Sequence, residues 1–164
     1  MVSFVVTAPS SSRELVAVVP INTRNAYAQT FAHSLYRPRH GDGPARRVSF
    51  LRPLTRRDQF YDAFVDLVAD DRALADRLRW VTDREMRQPG TLDGAKVVIL
   101  IGHSEYWDRP ARVALDAFID DGGAVLALTG DSLWWQVRYE RGGDTMVCYR
   151  HSRPADPIAD RTLK

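Results

Sequence analysis

The chain reads as an α/β fold with parallel strands, and three observations predict it. Short apolar runs alternate with amphipathic stretches along the sequence. The run Val97-Val98-Ile99-Leu100-Ile101 is apolar throughout and stops at Gly102, as a strand covered on both faces should. An amphipathic stretch then leads through Gly122-Gly123 into a second apolar run, Ala124 to Thr129, giving strand, helix and parallel strand in order.

The elements follow in chain order. Ser3 to Thr7 is a short β-branched run, broken by Ala8-Pro9-Ser10-Ser11-Ser12. Glu14 to Val19 is a better strand, nearly all apolar and ended by Pro20. Asn22 to Tyr36 is polar and aromatic, with no clear periodicity. Arg37 to Pro53 reads as loop, apart from a candidate strand at Arg47 to Leu51. Asp58 to Leu78 has helical spacing through Phe60, Phe64, Leu67, Val68 and Leu74, and Asp70-Asp71 is a place for it to split. Trp80-Val81-Thr82 is a candidate short strand, and Pro89-Gly90 a turn. Ala95 to Ile101 is the clearest strand. Arg109 to Asp121 is the amphipathic helix, with Val113, Ala114, Ala117 and Phe118 on one side and a glycine stop after it. Ala124 to Thr129 is expected to be buried, and Gly130-Asp131 ends it.

At 164 residues, 45% hydrophobic and 27% charged, the chain suits one domain with a real core. The net charge is +2. The basic cluster from Arg37 through His40, Arg46, Arg47 and Arg52 to Arg57 lies in a Pro- and Gly-rich stretch. Tyr36 and Phe50 are thin aromatic support, so a nucleic-acid partner is not expected. One cysteine, Cys148, excludes an internal disulfide and fits a reducing compartment. No run approaches a membrane span and Met1 to Val6 has no basic flank, so the expected location is cytoplasmic.

In open α/β sheets ligands bind beyond the carboxyl ends of the strands. Three polar segments fall there: Pro20 to Tyr27, His103 to Asp108, and Asp131 to Arg138. His103, Glu105 and Tyr106 place an imidazole, a carboxylate and a phenol in one turn, suited to proton transfer or to binding a metal. The alternative is structural, with Glu105 capping the next helix and His103 bonded to backbone. Tyr27 and Tyr36 with a carboxylate would suit Fe(III), a hard acid, and could equally be packing residues. In the Asp131 to Arg138 run, adjacent Trp134 and Trp135 cannot both face one side of a strand. One could line a pocket, or the run could start a helix capped by Asp131 or Ser132. Cys148 lies in an apolar stretch and reads as a buried thiol. Walker, dinucleotide-binding, Cys-x-x-Cys and His-Glu-x-x-His motifs are absent, and Ser104 lacks the second glycine of a nucleophile elbow.

The run Gly102-His103-Ser104-Glu105-Tyr106-Trp107 resembles the Gly-His-Asp-Glu-Tyr-Trp motif of the N,N-dimethylformamidase large (beta) subunit family. Gly130-Asp131-Ser132-Leu133-Trp134-Trp135-Gln136-Val137-Arg138 and Met146-Val147-Cys148-Tyr149 are similar to it as well. So are Val18-Val19-Pro20-Ile21-Asn22-Thr23, Asn25-Ala26-Tyr27 and Ser34-Leu35-Tyr36. The resemblance implies a three-layer sandwich like the class I glutamine amidotransferases. It also implies hydrolysis of a small amide at an iron held by two tyrosines and a glutamate. Carried over by motif, the metal ligands are Glu105 and Tyr27. Tyr36 is taken as the second tyrosine, the alternative being one in a segment this chain lacks.

His103 and Glu105 are the expected catalytic pair. Asn25, Tyr106, Trp107, Asp131, Trp135 and Arg138 are the expected substrate pocket. Ser104 stands where the family motif has aspartate, which removes one carboxylate. Family members usually continue past the Asp-Pro that matches Asp156-Pro157, so residues 1–164 are expected to be a partial version of a longer domain, with an open sheet edge. The expectation is therefore an amide hydrolase with iron. The alternatives are a non-catalytic family member that binds a second subunit or another copy of itself, and a metal-free small-molecule binding module.

Overall fold

The computed structural model describes residues 13–29, 34–36, 45–54, 58–150 and 156. The β-branched run at Ser3 to Thr7 lies outside them.

The chain is an α/β protein built on a four-stranded, all-parallel sheet of order β3-β1-β4-β6. Its strands are β1 (Leu15–Val19), β3 (Leu78–Thr82), β4 (Val97–His103) and β6 (Ala124–Gly130). Strand β1 sits centrally, with Leu15 beside both Leu78 of β3 and Val97 of β4. Alternate residues feed two cores, as the pleat requires. Val16, Val18, Val98 and Leu100 join Ala111 and Leu115 of helix α4 (Arg109–Asp120) on one face. Ala17, Ile99 and Ile101 join Phe64 and Val68 of helix α2 (Gln59–Asp70) on the other. Helices on both faces of the sheet make three layers.

Three helix starts are set by aspartates. Asp58 caps α2, accepting from the Phe60 and Tyr61 amides. Asp71 caps α3 (Arg72–Arg77) through the Leu74 amide, so the Asp70-Asp71 pair does split the helical stretch. Asp108 caps α4 through the Ala111 amide. That corrects the structural alternative for Glu105, which caps nothing. The helical reading also ran one residue too far, since Leu78 already belongs to β3.

A second, mixed sheet was not expected. Its order is β2-β8-β7-β5, with β2 (Arg47–Ser49), β5 (Tyr106–Asp108), β7 (Trp135–Glu140) and β8 (Thr145–Val147). The β5–β7 pair is parallel and the other two are antiparallel. Trp135 to Arg138 are therefore strand, which corrects the helix alternative for that run. Strand β2 falls within the candidate strand Arg47 to Leu51, whereas β5, β7 and β8 are too short to show a clear period-2 alternation in sequence. The sheet encloses a third core of Leu35, Val48, Tyr106, Val137 and Met146. The stretch after Pro20, unassigned from sequence, contains helix α1 (Ile21–Tyr27), whose residues Asn22 to Ala26 are buried.

Strand β6 overturns the expectation of burial. It pairs with β4 on one side only, and Val125, Leu126 and Leu128 are 36–45% exposed. Its apolar run reflects what the strand is suited to pack against. No described element covers its outer edge. No helix among the described residues is long and apolar enough to cross a membrane.

Candidate active site

The Gly102-to-Trp107 turn leaves β4 at the carboxyl end of the sheet and is clamped from both sides. Thr23 Oγ1 of α1 accepts from the Glu105 amide at 2.9 Å, and Asn22 Nδ2 donates to the Tyr106 carbonyl at 3.0 Å. From the far side, the amides of Trp134 and Trp135 both donate to the Glu105 carbonyl at 2.8 Å. The backbone around Glu105 is thus held by α1 and by the start of β7.

Glu105 is 3% exposed. Its Oε2 accepts from the Tyr36 hydroxyl at 3.0 Å, and the Tyr36 oxygen accepts from the Tyr106 hydroxyl at 2.8 Å. Tyr27 stacks on Tyr36, with ring centroids 3.9 Å apart and an interplanar angle of 21°. The structure therefore gathers Tyr27, Tyr36, Glu105 and Tyr106. Glu105 Oε1 is buried with no hydrogen-bond partner among the described residues. A buried carboxylate oxygen left so is costly unless a ligand meets it.

Burial raises the pKa of Tyr36, Tyr106 and Tyr27, and the Glu105 carboxylate nearby acts in the same direction. Left to themselves these phenols stay protonated. Arg150, which sequence reasoning passed over, lies on the Tyr36 ring, its guanidinium carbon 3.5 Å from the centroid, and also faces Trp135 at 5.0 Å. Its place in an otherwise apolar stretch was the available signal.

Beside this cluster opens a cavity of about 710 Å³, lined among others by Thr23, Tyr27, Asp58, Phe60, His103 and Asp131. His103 ends β4, with Phe60 tilted against its ring at 5.7 Å. Asp58 Oδ2 accepts from the His103 amide at 3.0 Å and lies 3.5 Å from Nδ1. Burial disfavours charge on Asp58, but bonds from the His103, Tyr61 and Phe60 amides outweigh it, and its pKa falls below the ordinary value. Asp58 was read in sequence only as the start of a helix.

The remaining expected residues are dispersed. Asp131 reaches the cavity from a left-handed backbone (φ 33°). Trp135 packs beside Tyr27 and Tyr36 around the third core. Asn25 is buried, and its Oδ1 and carbonyl accept from Arg52 at 3.1 and 2.7 Å. Trp107 belongs to the α4-side core, with its indole N–H turned onto Ser104. Arg138 pairs with Asp156 at 2.7 Å. Cys148 is buried, as expected, and burial pushes its thiol up to about 12.

Among the described residues, no group of three His, Cys, Asp or Glu side chains could hold a metal ion. The donors that do gather are three phenols, Tyr27, Tyr36 and Tyr106, and the Glu105 carboxylate, anionic-oxygen donors of the kind a hard trivalent cation prefers. The orphaned Glu105 Oε1 is consistent with such an ion.

No curated protein shows significant similarity to the chain. The family model described as N,N-dimethylformamidase beta subunit-like, C-terminal, matches residues 1–163, and the chain belongs to that family.

Proposed function

We propose that the chain serves metal-assisted hydrolysis of a small, non-peptide amide at its C–N bond. The observation that carries this reading is the cluster in which Tyr27 stacks on Tyr36 and the Tyr36 hydroxyl meets Glu105 Oε2, while Glu105 Oε1 is buried without a hydrogen-bond partner among the described residues. Tyr27, Tyr36 and Glu105 would hold an iron ion. Such an ion polarises an amide carbonyl and lowers the pKa of a bound water.

The chain's own residues supply the rest. Thr23 and Asn22 fix the turn that carries Glu105, and the Trp134 and Trp135 amides fix it from behind. Tyr106 donates to Tyr36 and so orients the Tyr36 oxygen. Arg150 lies over the ring of Tyr36, and its positive charge opposes, without overcoming, the effect of burial on the neighbouring phenols of Tyr27 and Tyr106. The cavity beside Tyr27 offers room for a small amide, and His103 on its wall offers a base.

Metal content and the visible absorption spectrum of the purified chain test this reading. Roughly one iron per chain with a tyrosinate charge-transfer band, lost in Glu105→Gln, supports it. Folded protein that takes up no iron when offered it refutes the iron site.

A second reading is favoured by one observation, the exposed apolar edge strand β6. In it the chain is a non-catalytic family member that acts by binding a second subunit. A chain that is soluble only with a partner and binds no metal would support this alternative.

A further inference from the structure

The cavity that Tyr27 lines is also lined by His103, Asp58 and Phe60. His103 is held on several sides. Phe60 of α2 lies against the imidazole at 5.7 Å between ring centroids. Gly130 of β6 also lies against the ring, and a Cβ there would stand 3.3 Å from Nε2. Asp58 bonds the His103 amide and faces Nδ1.

Asp58 itself is fixed. Its Oδ1 accepts from the Phe60 and Tyr61 amides, which orients Oδ2 toward His103. Gly102 makes the approach possible: its φ is +69°, and a Cβ there would stand 2.7 Å from Asp58 Oδ2. The side chains of Asp58 and His103 are 12% and 40% exposed, so the carboxylate is shielded while the imidazole meets the cavity.

We infer that Asp58 is a positioning residue, holding His103 in the tautomer with hydrogen on Nδ1 and a free lone pair on Nε2 at the cavity. The inference rests on the amide-hydrolysis reading for its purpose, though not for its geometry. An anionic oxygen facing Nδ1 selects the N–H at that nitrogen, as carboxylates do for catalytic histidines. The 3.5 Å separation is longer than a formed hydrogen bond, and such contacts commonly tighten only when substrate binds.

In the reaction, Nε2 accepts a proton from water as the water oxygen bonds to the amide carbon. When the C–N bond breaks, Nε2 returns that proton to the leaving nitrogen. One water is consumed, a carboxylic acid and an amine are released, and His103 ends neutral as it began. Asp58 touches no reacting atom.

The test is the imidazole ¹⁵N spectrum of the full chain, recorded with histidine neutral and assigned with His103→Gln. It is then repeated on Asp58→Ser and Asp58→Asn. Both replacements are good helix caps, so α2 keeps its start. Neither presents an anion to Nδ1. The expected result is Nδ1–H in the parent chain and a shift toward Nε2–H in either variant that remains folded by circular dichroism. An Nε2–H signal in the parent, or an unchanged tautomer in the variants, overturns the proposal.

Hydrolysis of N,N-dimethylformamide gives the second readout. The variants should lose about tenfold or more in kcat with KM changed less than about twofold. An equal loss carried by KM alone overturns the positioning role. If the parent hydrolyses no amide, the functional reading fails, and the tautomer still decides the Asp58–His103 relation.

Discussion

The Tyr36 hydroxyl donates to Glu105 Oε2 at 3.0 Å while its oxygen accepts from Tyr106 at 2.8 Å. One phenol thus meets one oxygen of a buried carboxylate and the hydroxyl of a buried second phenol. Tyr36→Phe would strand both partners at once. The expected cost is about 1–3 kcal/mol, the desolvation penalty of groups left unpaired in the interior. Urea unfolding of parent and variant measures it. A loss below a few tenths would mean that water replaces the phenol and that the cluster is wetter than its burial suggests.

Arg150 rests on the Tyr36 ring at 3.5 Å. Arg150→Met keeps the stem and removes the cation. The expected loss is about 0.5–2 kcal/mol for the cation–π contact. Arg150→Lys should recover only part of it, because a compact ammonium does not stack as a planar guanidinium does. Thermal melts of the two variants side by side distinguish charge from stacking. Full recovery by lysine would show that charge alone matters.

Gly102 carries a positive φ of 69° with Asp58 Oδ2 directly behind it. Gly102→Ala meets both a backbone penalty and a collision. It should destabilise the chain by about 1–3 kcal/mol. Asp58→Ser in the same background should relieve the collision, so the double variant should be more stable than the sum of the two single effects. Strict additivity would show that the strain is in the backbone alone.

Asp83, at the carboxyl end of β3, is 1% exposed and accepts from the Asn22 amide at 2.9 Å. Its Oδ1 has no partner among the described residues. Burial raises its pKa well above the ordinary value, against the pull of the Asn22 amide and Arg84. The folded state therefore holds this proton more tightly than the unfolded state. That contribution is fully present below the unfolded carboxylate pKa and is lost as pH rises through the folded one. Asp83→Asn keeps an acceptor for Asn22 and carries no charge. Its melting temperature should exceed the parent's at pH values above the folded pKa, with the advantage disappearing in acid. An advantage independent of pH would show that Asp83 is not the group responsible.

How much of this was legible in the sequence follows from where the information sits. The β4 turn was legible because an unbroken apolar run ending at Gly102 states both a strand and its end. Glu105 and Tyr27 were reachable from motif. Tyr36 was a choice among tyrosines until the chain folded it back beside α1, with the Leu35 amide bonded to the Ala26 carbonyl. Asp58 was not legible as part of a site, because a helix cap and a histidine partner look alike in one dimension. Strands β5, β7 and β8 were missed because three to six residues give too little alternation to separate strand from loop.

Strand β6 raises a different question, which one surface substitution answers. Ala124 to Gly130 contains no charge or proline, and its outer edge is unpaired among the described residues. Such an edge invites pairing with another strand. Leu126 and Leu128 are each 45% exposed, so a charge there enters no core. Leu126→Lys should leave unfolding free energy within about 0.5 kcal/mol of the parent, as surface changes do. It should also reduce concentration-dependent association, because a lysine on an edge strand opposes strand addition. Sedimentation velocity across a range of concentrations reads the second effect, and urea unfolding the first. If Leu126→Lys instead unfolds the chain, this face is covered in the working protein and β6 is an interior strand of a larger sheet. If it changes neither quantity, the apolar edge is inert.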